Sequence, residues 1–280
     1  MIINAYGKIN LSLDVIGKRE DGYHLLKMIM QSVDLHDVIN IDLCKNGICV
    51  KTNKNYLPVN ENNLAYKAAE LFFESYGIKS GANIYIEKNI PVAAGMAGGS
   101  ADAAAVLKAL NKLTGLNLKN TELMDLGLSL GADIPYCIVG GTQFCQGIGE
   151  EITPLKPFRG KNIIIVKPPF GVSTKEVYGK FDVKKIHRHP NTQGLIKAIE
   201  ADDIYYISKN MKNVLENVTL KKYKTIDDIK KELIKHGALG SLMSGSGPTV
   251  FGIFDQKKSA EKCYKEMEKQ YEEVHLIKTI

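Results

Sequence analysis

Apolar and polar residues alternate strictly along residues 8–16. The apolar positions are Ile9, Leu11, Leu13 and Val15, and the polar positions are Lys8, Asn10, Ser12 and Asp14. A period of two predicts a β-strand, because successive side chains of a strand point to opposite faces. We therefore expect a half-buried strand here, with a line of polar side chains along its exposed face.

Extended apolar segments predict further strands in the N-terminal half. Residues 28–43 form one such segment, and the Asn46-Gly47 pair after it favours a tight hairpin turn into a strand over 48–52. Residues 83–87 are typical of a short strand. The N-terminal portion should therefore contain a β-rich layer.

Helices are predicted around these strands. The first covers residues 64–76, where Asn62 or Asn63 can cap its start and Gly77 can end it. A second begins directly after a glycine-rich segment, because the alanine-rich residues 101–110 have strong helix propensity. The remaining elements predicted in this half are a helix over 121–130 and a strand over 142–146.

The C-terminal half mixes both element types. Glycine, proline and basic residues around 154–161 indicate a domain boundary before it. The predicted elements are a strand over 163–167, a short helix after a capping box at Ser173 and Glu176, helices through about residue 234, strands over 239–243 and 249–254, a helix over 257–271 and a strand over 274–278. We therefore predict an α+β architecture of two abutting domains.

The composition is that of an ordinary folded protein. Of the 280 residues, 44% are hydrophobic and 24% are charged, close to globular averages. No apolar run is long enough to span a membrane, and the first residues lack a targeting pattern, so we expect a cytoplasmic protein. The five cysteines have neither zinc-knuckle nor C-x-x-C spacing.

The positive net charge of +6 is concentrated in the second half of the chain. Residues 1–150 carry 13 basic and 15 acidic side chains, a balance of −2, whereas residues 151–280 carry 24 and 16, a balance of +8. Such a surplus fits an anionic small molecule, a nucleic acid or a solvated surface.

A glycine-rich loop over residues 91–100 runs directly into the predicted alanine-rich helix. Helix N-termini present N–H groups and a partial positive charge, and glycines let phosphate oxygens approach the backbone. The loop lacks both the Lys-Ser/Thr pair of a Walker A loop and the G-x-G-x-x-G spacing of a dinucleotide fingerprint. It predicts either a different kind of phosphate site or a turn selected for close helix packing.

Two other segments favour phosphate chemistry. Residues 244–249, Ser-Gly-Ser-Gly-Pro-Thr, form a second loop of small residues between two apolar strands, and Gly7 to Leu11 place Lys8 and Asn10 on one strand face. In this order the three segments resemble the motifs of the GHMP kinase superfamily of small-molecule kinases. The resemblance implies a two-domain fold, with an N-terminal ribosomal-protein-S5-like, ATP-binding domain over 1–155 and a C-terminal ferredoxin-like domain over 156–280.

Four ordered motifs resemble one family within this superfamily. They are Gly22-Tyr23-His24, residues 90–104, residues 131–135 (Gly-Ala-Asp-Ile-Pro) and residues 245–249. The resemblance is to the 4-diphosphocytidyl-2-C-methyl-D-erythritol kinases of the non-mevalonate isoprenoid pathway, and it extends from residue 5 to about 255. It implies an ATP-dependent transfer of phosphate to the 2-hydroxyl of that substrate, giving the 2-phosphate and ADP.

The resemblance implies catalytic roles for Asp133 and Lys8. Asp133 would be the base that accepts the proton of the substrate hydroxyl, and Lys8 would stabilise the carboxylate and the transferring charge. From the local sequence alone, Asp133 could also be a capping residue, and Lys8 could be a surface lysine.

The resemblance also assigns the ATP site. Ser100 would add its hydroxyl near the phosphates or Mg²⁺, and Ala97 stands where many members of the superfamily have glycine. Mg²⁺ should arrive on ATP, so we assign no protein ligand to it. The residues expected to bind ATP are Pro91, Val92, Ala93, Ala94, Gly95, Met96, Ala97, Gly98, Gly99, Ser100 and Ala101.

For the cytidine end, the resemblance implies Tyr23, His24 and an aromatic side chain from residues 170–181. Tyr178 is the best match, with Phe170 and Phe181 as rivals, and Asn10 could reach the erythritol hydroxyls. We expect a small-molecule partner only, no nucleic acid or membrane, and a monomer or weak homodimer. The competing hypotheses are another GHMP kinase, of mevalonate or homoserine type, and a basic nucleic-acid-binding protein.

Overall fold

The computed structural model describes all 280 residues, which form eleven strands and ten α-helices. The strands are β1 (Ile2–Lys18), β2 (His24–Cys44), β3 (Ile48–Thr52), β4 (Gly81–Glu87), β5 (Thr142–Gln146), β6 (Glu151–Pro154), β7 (Asn162–Lys167), β8 (Lys212–Asn213), β9 (Gly240–Met243), β10 (Val250–Phe254) and β11 (Glu273–Lys278). The helices are α1 (Leu64–Ser75), α2 (Gly98–Thr114), α3 (Asn120–Leu128), α4 (Ile134–Val139), α5 (Thr174–Gly179), α6 (Thr192–Glu200), α7 (Ile204–Asn210), α8 (Glu216–Lys222), α9 (Lys224–Lys235) and α10 (Lys257–Met267).

The chain forms two compact units. The first unit comprises residues 1–7, 35–90 and 97–140, and the second comprises residues 8–34, 91–96 and 141–280. Strands β1 and β2 are long, so each contributes residues to both units. The glycine-rich loop is divided in the same way, because residues 91–96 belong to the second unit and residues from 97 onward belong to the first.

In the first unit, helices α1 and α2 pack together over the sheet of β3, β4 and β2. Asn63 caps α1 as predicted, because its side-chain oxygen accepts the N–H of Ala65 at 2.9 Å. Phe72 of α1, Leu107 of α2 and Ile41 of β2 are all fully buried. The expected helices over 64–76, 101–110 and 121–130 are confirmed.

The predicted hairpin between β2 and β3 is wrong. Strand β4 lies between them, antiparallel to β2 and parallel to β3, so the sheet order is β3-β4-β2. The Asn46-Gly47 turn does connect the two strands, but the N–H of Ala82 at the start of β4 bonds the carbonyl oxygen of Gly47. A Cβ at Gly81 would overlap that oxygen, so a residue without a side chain lets β4 start against the turn.

The second unit contains the other sheet pairings. Strand β8 pairs in parallel with β1, and β5 pairs antiparallel with β2 and β6. A separate four-stranded antiparallel sheet has the order β11-β7-β10-β9, and α9 and α10 pack on it. The strands predicted over 163–167, 239–243, 249–254 and 274–278 are confirmed, and so is the mixed α+β class.

The polar face of β1 is not exposed, contrary to the expectation of a half-buried strand. Lys8, Asn10, Ser12 and Asp14 are all 5% exposed or less. Each of these side chains has a polar partner: the Ser12 hydroxyl accepts the N–H of Ile29, and the Asp14 carboxylate lies 2.7 Å from Nδ1 of His189. Polar groups can be buried when they are hydrogen-bonded. The alternation therefore predicted the strand, but it did not predict that other segments bury the polar face of the strand.

Candidate active site

The glycine-rich loop alternates in backbone conformation. Ala93, Gly95 and Ala97 have positive φ angles of 52°, 73° and 58°, whereas Ala94 and Met96 between them do not. Alternation of right- and left-handed residues directs successive N–H groups into one concavity that binds anions. Helix α2 begins at Gly98, and Ala97 before it provides no side-chain cap, so the first-turn N–H groups remain for an anion.

The structure brings the three small-residue motifs together within the second unit. The N–H of Lys8 donates to the carbonyl oxygen of Met96 at 3.1 Å, and the Ser244 hydroxyl donates to the carbonyl oxygen of Gly95 at 3.0 Å. The N–H of Gly245 donates to Oδ1 of Asn10 at 3.1 Å. A Cβ at Gly95 would overlap the Ser244 carbonyl oxygen, so this close approach explains a glycine there.

Lys8 and Asn10 are directly bonded to each other. The Lys8 ammonium donates to Oδ1 of Asn10 at 2.9 Å, and the Asn10 amide donates to Sδ of Met28 at 3.6 Å. Lys8 is 4% exposed, and Asn10 is fully buried. Lys8 is therefore not a surface lysine, which was one of the two interpretations of its sequence.

Asp133 lies in the first unit, at the N-cap position of α4. Its side chain makes no capping hydrogen bond to that helix, although its backbone oxygen accepts the N–H of Cys137. The side chain is half-buried. The position is thus that of a cap, but the carboxylate does not perform the capping function.

The aromatic residues expected at the cytidine end lie in the second unit. His24 lies beside Tyr178, with ring centroids 5.2 Å apart, and meets Phe181 edge-on at 6.1 Å. Phe170 instead stacks on Tyr223 at 5.0 Å. Burial, with a contribution from Lys18, lowers the pKa of His24 below its ordinary value of 6.5, so the imidazole is neutral at pH 7.

The other residue of that motif, Tyr23, is 58% exposed. Its N–H donates to the Asp21 carboxylate at 3.1 Å, and its carbonyl oxygen accepts the N–H of Arg19 at 2.7 Å. The Tyr23 backbone is therefore fixed by the turn, while its ring faces solvent. Roles for Tyr23, His24 and Tyr178 at a substrate stay predictions.

A buried charge cluster in the first unit was missed by the sequence analysis. The Lys88 ammonium forms ion pairs with the carboxylates of Asp37 and Asp102, the latter at 2.7 Å, and none of the three residues is more than 6% exposed. The other oxygen of Asp37 accepts the N–H groups of Asn89 and Ile90, at 2.6 and 2.8 Å. The cluster thus fixes the segment just before the glycine-rich loop against the second turn of α2.

Desolvation and the neighbouring charges both shift the pKa values of this cluster. Burial, reinforced by the neighbouring Asp37, raises the pKa of Asp102 to about 8, although the Lys88 ammonium opposes the change. Burial alone would lower the pKa of Lys88, but the two carboxylates outweigh it and raise that pKa. The signal in the sequence was a single aspartate inside the otherwise apolar run of α2, because a lone charge on a buried helix needs a partner.

Two further features concern metals and membranes. No group of three or more His, Cys, Asp or Glu side chains is arranged to hold a metal ion. None of the ten helices combines the length and apolar character that crossing a bilayer requires.

Comparisons with known proteins identify the class. Residues 63–141 match the family model of the GHMP kinases N terminal domain, and residues 195–273 match that of the GHMP kinases C terminal domain. The fold is also that of a homoserine kinase from Cytophaga hutchinsonii, with a TM-score of 0.79 at 21% identity over 100% of this chain and 94% of that chain.

Two other similarities are more specific. A 4-diphosphocytidyl-2-C-methyl-D-erythritol kinase from Clostridium botulinum is 62% identical over the full length of both chains. The crystal structure of a 4-(cytidine 5'-diphospho)-2C-methyl-D-erythritol kinase has a TM-score of 0.84 at 28% identity, covering 100% of this chain and 99% of that one. The chain is a GHMP kinase, and within that class it belongs to the family of 4-diphosphocytidyl-2-C-methyl-D-erythritol kinases.

Proposed function

We propose that the protein transfers the γ-phosphoryl group of ATP to the 2-hydroxyl of 4-diphosphocytidyl-2-C-methyl-D-erythritol, giving the 2-phosphate and ADP in the non-mevalonate pathway to isoprenoid precursors. The full-length identity of 62% to a relative of that name carries the proposal. The meeting of Lys8 and the 244–249 turn with residues 91–96 supports it, because phosphoryl transfer depends on positioning and charge neutralisation.

Asp133 and Lys8 have complementary roles in this proposal. Asp133 accepts the proton of the attacking hydroxyl, a general-base role that a positioned carboxylate can fill. Lys8 stabilises negative charge on the transferring group, and its ammonium is held in a buried environment where charge interactions are stronger.

Residues 91–101 hold the phosphates of ATP in this proposal. The alternating backbone of residues 93–97 and the first turn of α2 supply N–H donors, and Ser100 supplies the only hydroxyl of the segment. Mg²⁺ enters with ATP and neutralises phosphate charge, as is common where a protein contributes few ligands.

The cytidine group lies against His24 and Tyr178 in this proposal, with Tyr23 beside them. Tyr178 and His24 are half-buried and adjacent, so one ring can stack on cytosine while the neutral imidazole hydrogen-bonds its edge. Phe170 is a weaker candidate because it already stacks on Tyr223. Oδ1 of Asn10 already accepts hydrogen bonds from Lys8 and Gly245. Asn10 would therefore reach the erythritol hydroxyls only through its Nδ2 group.

Turnover on a substrate panel tests the function. We expect ADP release with 4-diphosphocytidyl-2-C-methyl-D-erythritol and none with mevalonate, homoserine or galactose. Clear turnover on another member of the panel, with none on the cytidine compound, would overturn the substrate assignment. Binding of RNA at two salt concentrations would reveal a nucleic-acid partner.

Replacing Tyr178 with alanine tests the base site. Stacking on one aromatic ring is worth about 1–3 kcal/mol, so KM for the cytidine substrate should rise roughly tenfold to a hundredfold while KM for ATP stays the same. Phe170→Ala is the matched control, since its ring has another partner. A larger effect on the cytidine KM in the control would transfer the stacking role to Phe170.

Four other features stay predictions of the sequence. They are the division into domains at 1–155 and 156–280, the cytoplasmic location, the monomeric or weakly dimeric state, and the absence of nucleic-acid and membrane partners.

A further inference from the structure

Asn213 is a fully engaged buried amide in strand β8. It is 1% exposed, and its Nδ2 donates to two carbonyl oxygens, those of Met243 at 2.8 Å and Gly245 at 2.7 Å. Its Oδ1 accepts the N–H of Leu215 at 3.0 Å. Both amide protons are therefore used to hold the beginning of the 244–249 turn.

The hydrogen bonds continue from this turn to Lys8. The N–H of Gly245 donates to Oδ1 of Asn10, and that same oxygen accepts the Lys8 ammonium at 2.9 Å. Gly245 has a φ of +55°, and a Cβ there would press on the carbonyl group of Gly95, so the turn has little freedom to adjust. Asn213, Gly245, Asn10 and Lys8 thus form one continuous chain inside the second unit.

We propose that Asn213 is a positioning residue that orients the Lys8 ammonium for phosphoryl transfer, through Gly245 and Asn10. The proposal rests on the role of Lys8 in the proposed function. Asn213 has no part in binding the substrate.

The physical basis is the flexibility of lysine. Its side chain is a flexible four-carbon stem that ends in a compact charge, so a fixed acceptor is needed to hold the ammonium in one place. Asn10 is that acceptor, and its own orientation depends on the Gly245 N–H. Without the Asn213 amide, the buried carbonyl oxygens of Met243 and Gly245 lose a donor, and the turn must shift to satisfy them.

Asn213→Ala should therefore lower kcat by about tenfold to a hundredfold, the effect of misplacing a catalytic group by about 1 Å. KM for the cytidine substrate should change much less than kcat, because His24 and Tyr178 are outside this chain of hydrogen bonds and only Asn10 belongs to both. Asn217→Ala is the matched control, since the Asn217 amide donates to a backbone carbonyl oxygen, that of Val214 at 2.8 Å, but makes no hydrogen bond to the turn. It should retain kcat.

A double-mutant cycle with Lys8→Met separates this proposal from the proposed function. In the Lys8→Met background, Asn213→Ala should change kcat by no more than about twofold, because both substitutions remove the same effect. If the two losses multiply, Asn213 does not act through Lys8 and the proposal is wrong. If Lys8→Met alone leaves kcat unchanged, the role of Lys8 in the proposed function is wrong instead.

Folding must be measured on the same variants. Thermal unfolding shows whether Asn213→Ala is folded at the assay temperature, and Asn213→Ser serves if it is not, because serine retains one donor for a carbonyl. Asn213→Ser should have a kcat between those of the wild type and the single variant Lys8→Met. A wild-type kcat in every folded Asn213 variant would overturn the proposal.

Discussion

Replacing Asp133 with asparagine should lower kcat by roughly 10²–10⁴-fold, the usual contribution of a positioned acid–base group. Asparagine has nearly the same shape as aspartate, but its amide cannot accept the proton of the substrate hydroxyl. The backbone of α4 should be unaffected, because the carboxylate makes no capping bond to the helix. KM for ATP should change little, since the donors proposed for the phosphates are backbone N–H groups elsewhere.

Steady-state kinetics with saturating ATP measures this effect. Asp125→Asn is the matched control, because Asp125 is an exposed carboxylate on α3 of the same unit, and it should retain the wild-type kcat. An Asp133→Asn enzyme with near wild-type kcat would remove Asp133 from the mechanism. Loss of the fold in that variant would instead show that the Asp133 carboxylate has a structural role.

Local sequence patterns predicted most of the helices and strands correctly. The helix over 64–76 was predictable because Asn63 can cap a helix that begins directly after it and Gly77 can adopt a positive φ, and the structure shows both features. The alanine-rich part of α2 was predictable from its helix propensity, but the helix begins at Gly98, three residues before the predicted start and inside the predicted loop. In each case the signal and the structure lie within a few residues of each other.

The errors arose where distant segments decide the outcome. The Asn46-Gly47 turn favoured a hairpin, but β4, more than 30 residues later, is inserted between the two strands. In the same way, the polar face of β1 looked exposed until Gly245 and His189 were found against it. Neither partner is encoded near β1, because long-range pairing depends on the whole fold rather than on local propensity.

The candidate site shows the same difference between features with a local sequence signal and features that depend on distant segments. Lys8, Asn10 and residues 91–101 were predicted from motifs, because the proposed chemistry requires particular residue types. Asn213 was missed because a buried asparagine has no sequence pattern of its own, and its importance is visible only in the two carbonyl oxygens that it binds. Residues that support a site are thus harder to predict than residues that form it.

The Lys88 cluster should produce the largest change in stability. Lys88→Met is expected to lower the free energy of unfolding by about 3–5 kcal/mol, the usual result of removing one partner from a buried ion pair. Methionine fills a similar volume, so the loss reflects charge rather than a cavity. It leaves the Asp37 carboxylate fully buried and without its ammonium partner, while Asp102 can take up a proton because burial raises its pKa to about 8.

Denaturant unfolding of three variants tests whether the loss of stability in Lys88→Met has an electrostatic cause. Lys88→Met combined with Asp37→Asn should recover most of the lost stability, because both opposite charges are removed and an amide oxygen can still accept the N–H groups of Asn89 and Ile90. Lys231→Met is the surface control: Lys231 pairs with Asp227 at 2.7 Å but is 70% exposed, so its loss should hardly change stability. A Lys88→Met variant as stable as this control would show that the buried pair contributes nothing, and a double variant less stable than Lys88→Met would show that the Asp37 charge is itself favourable.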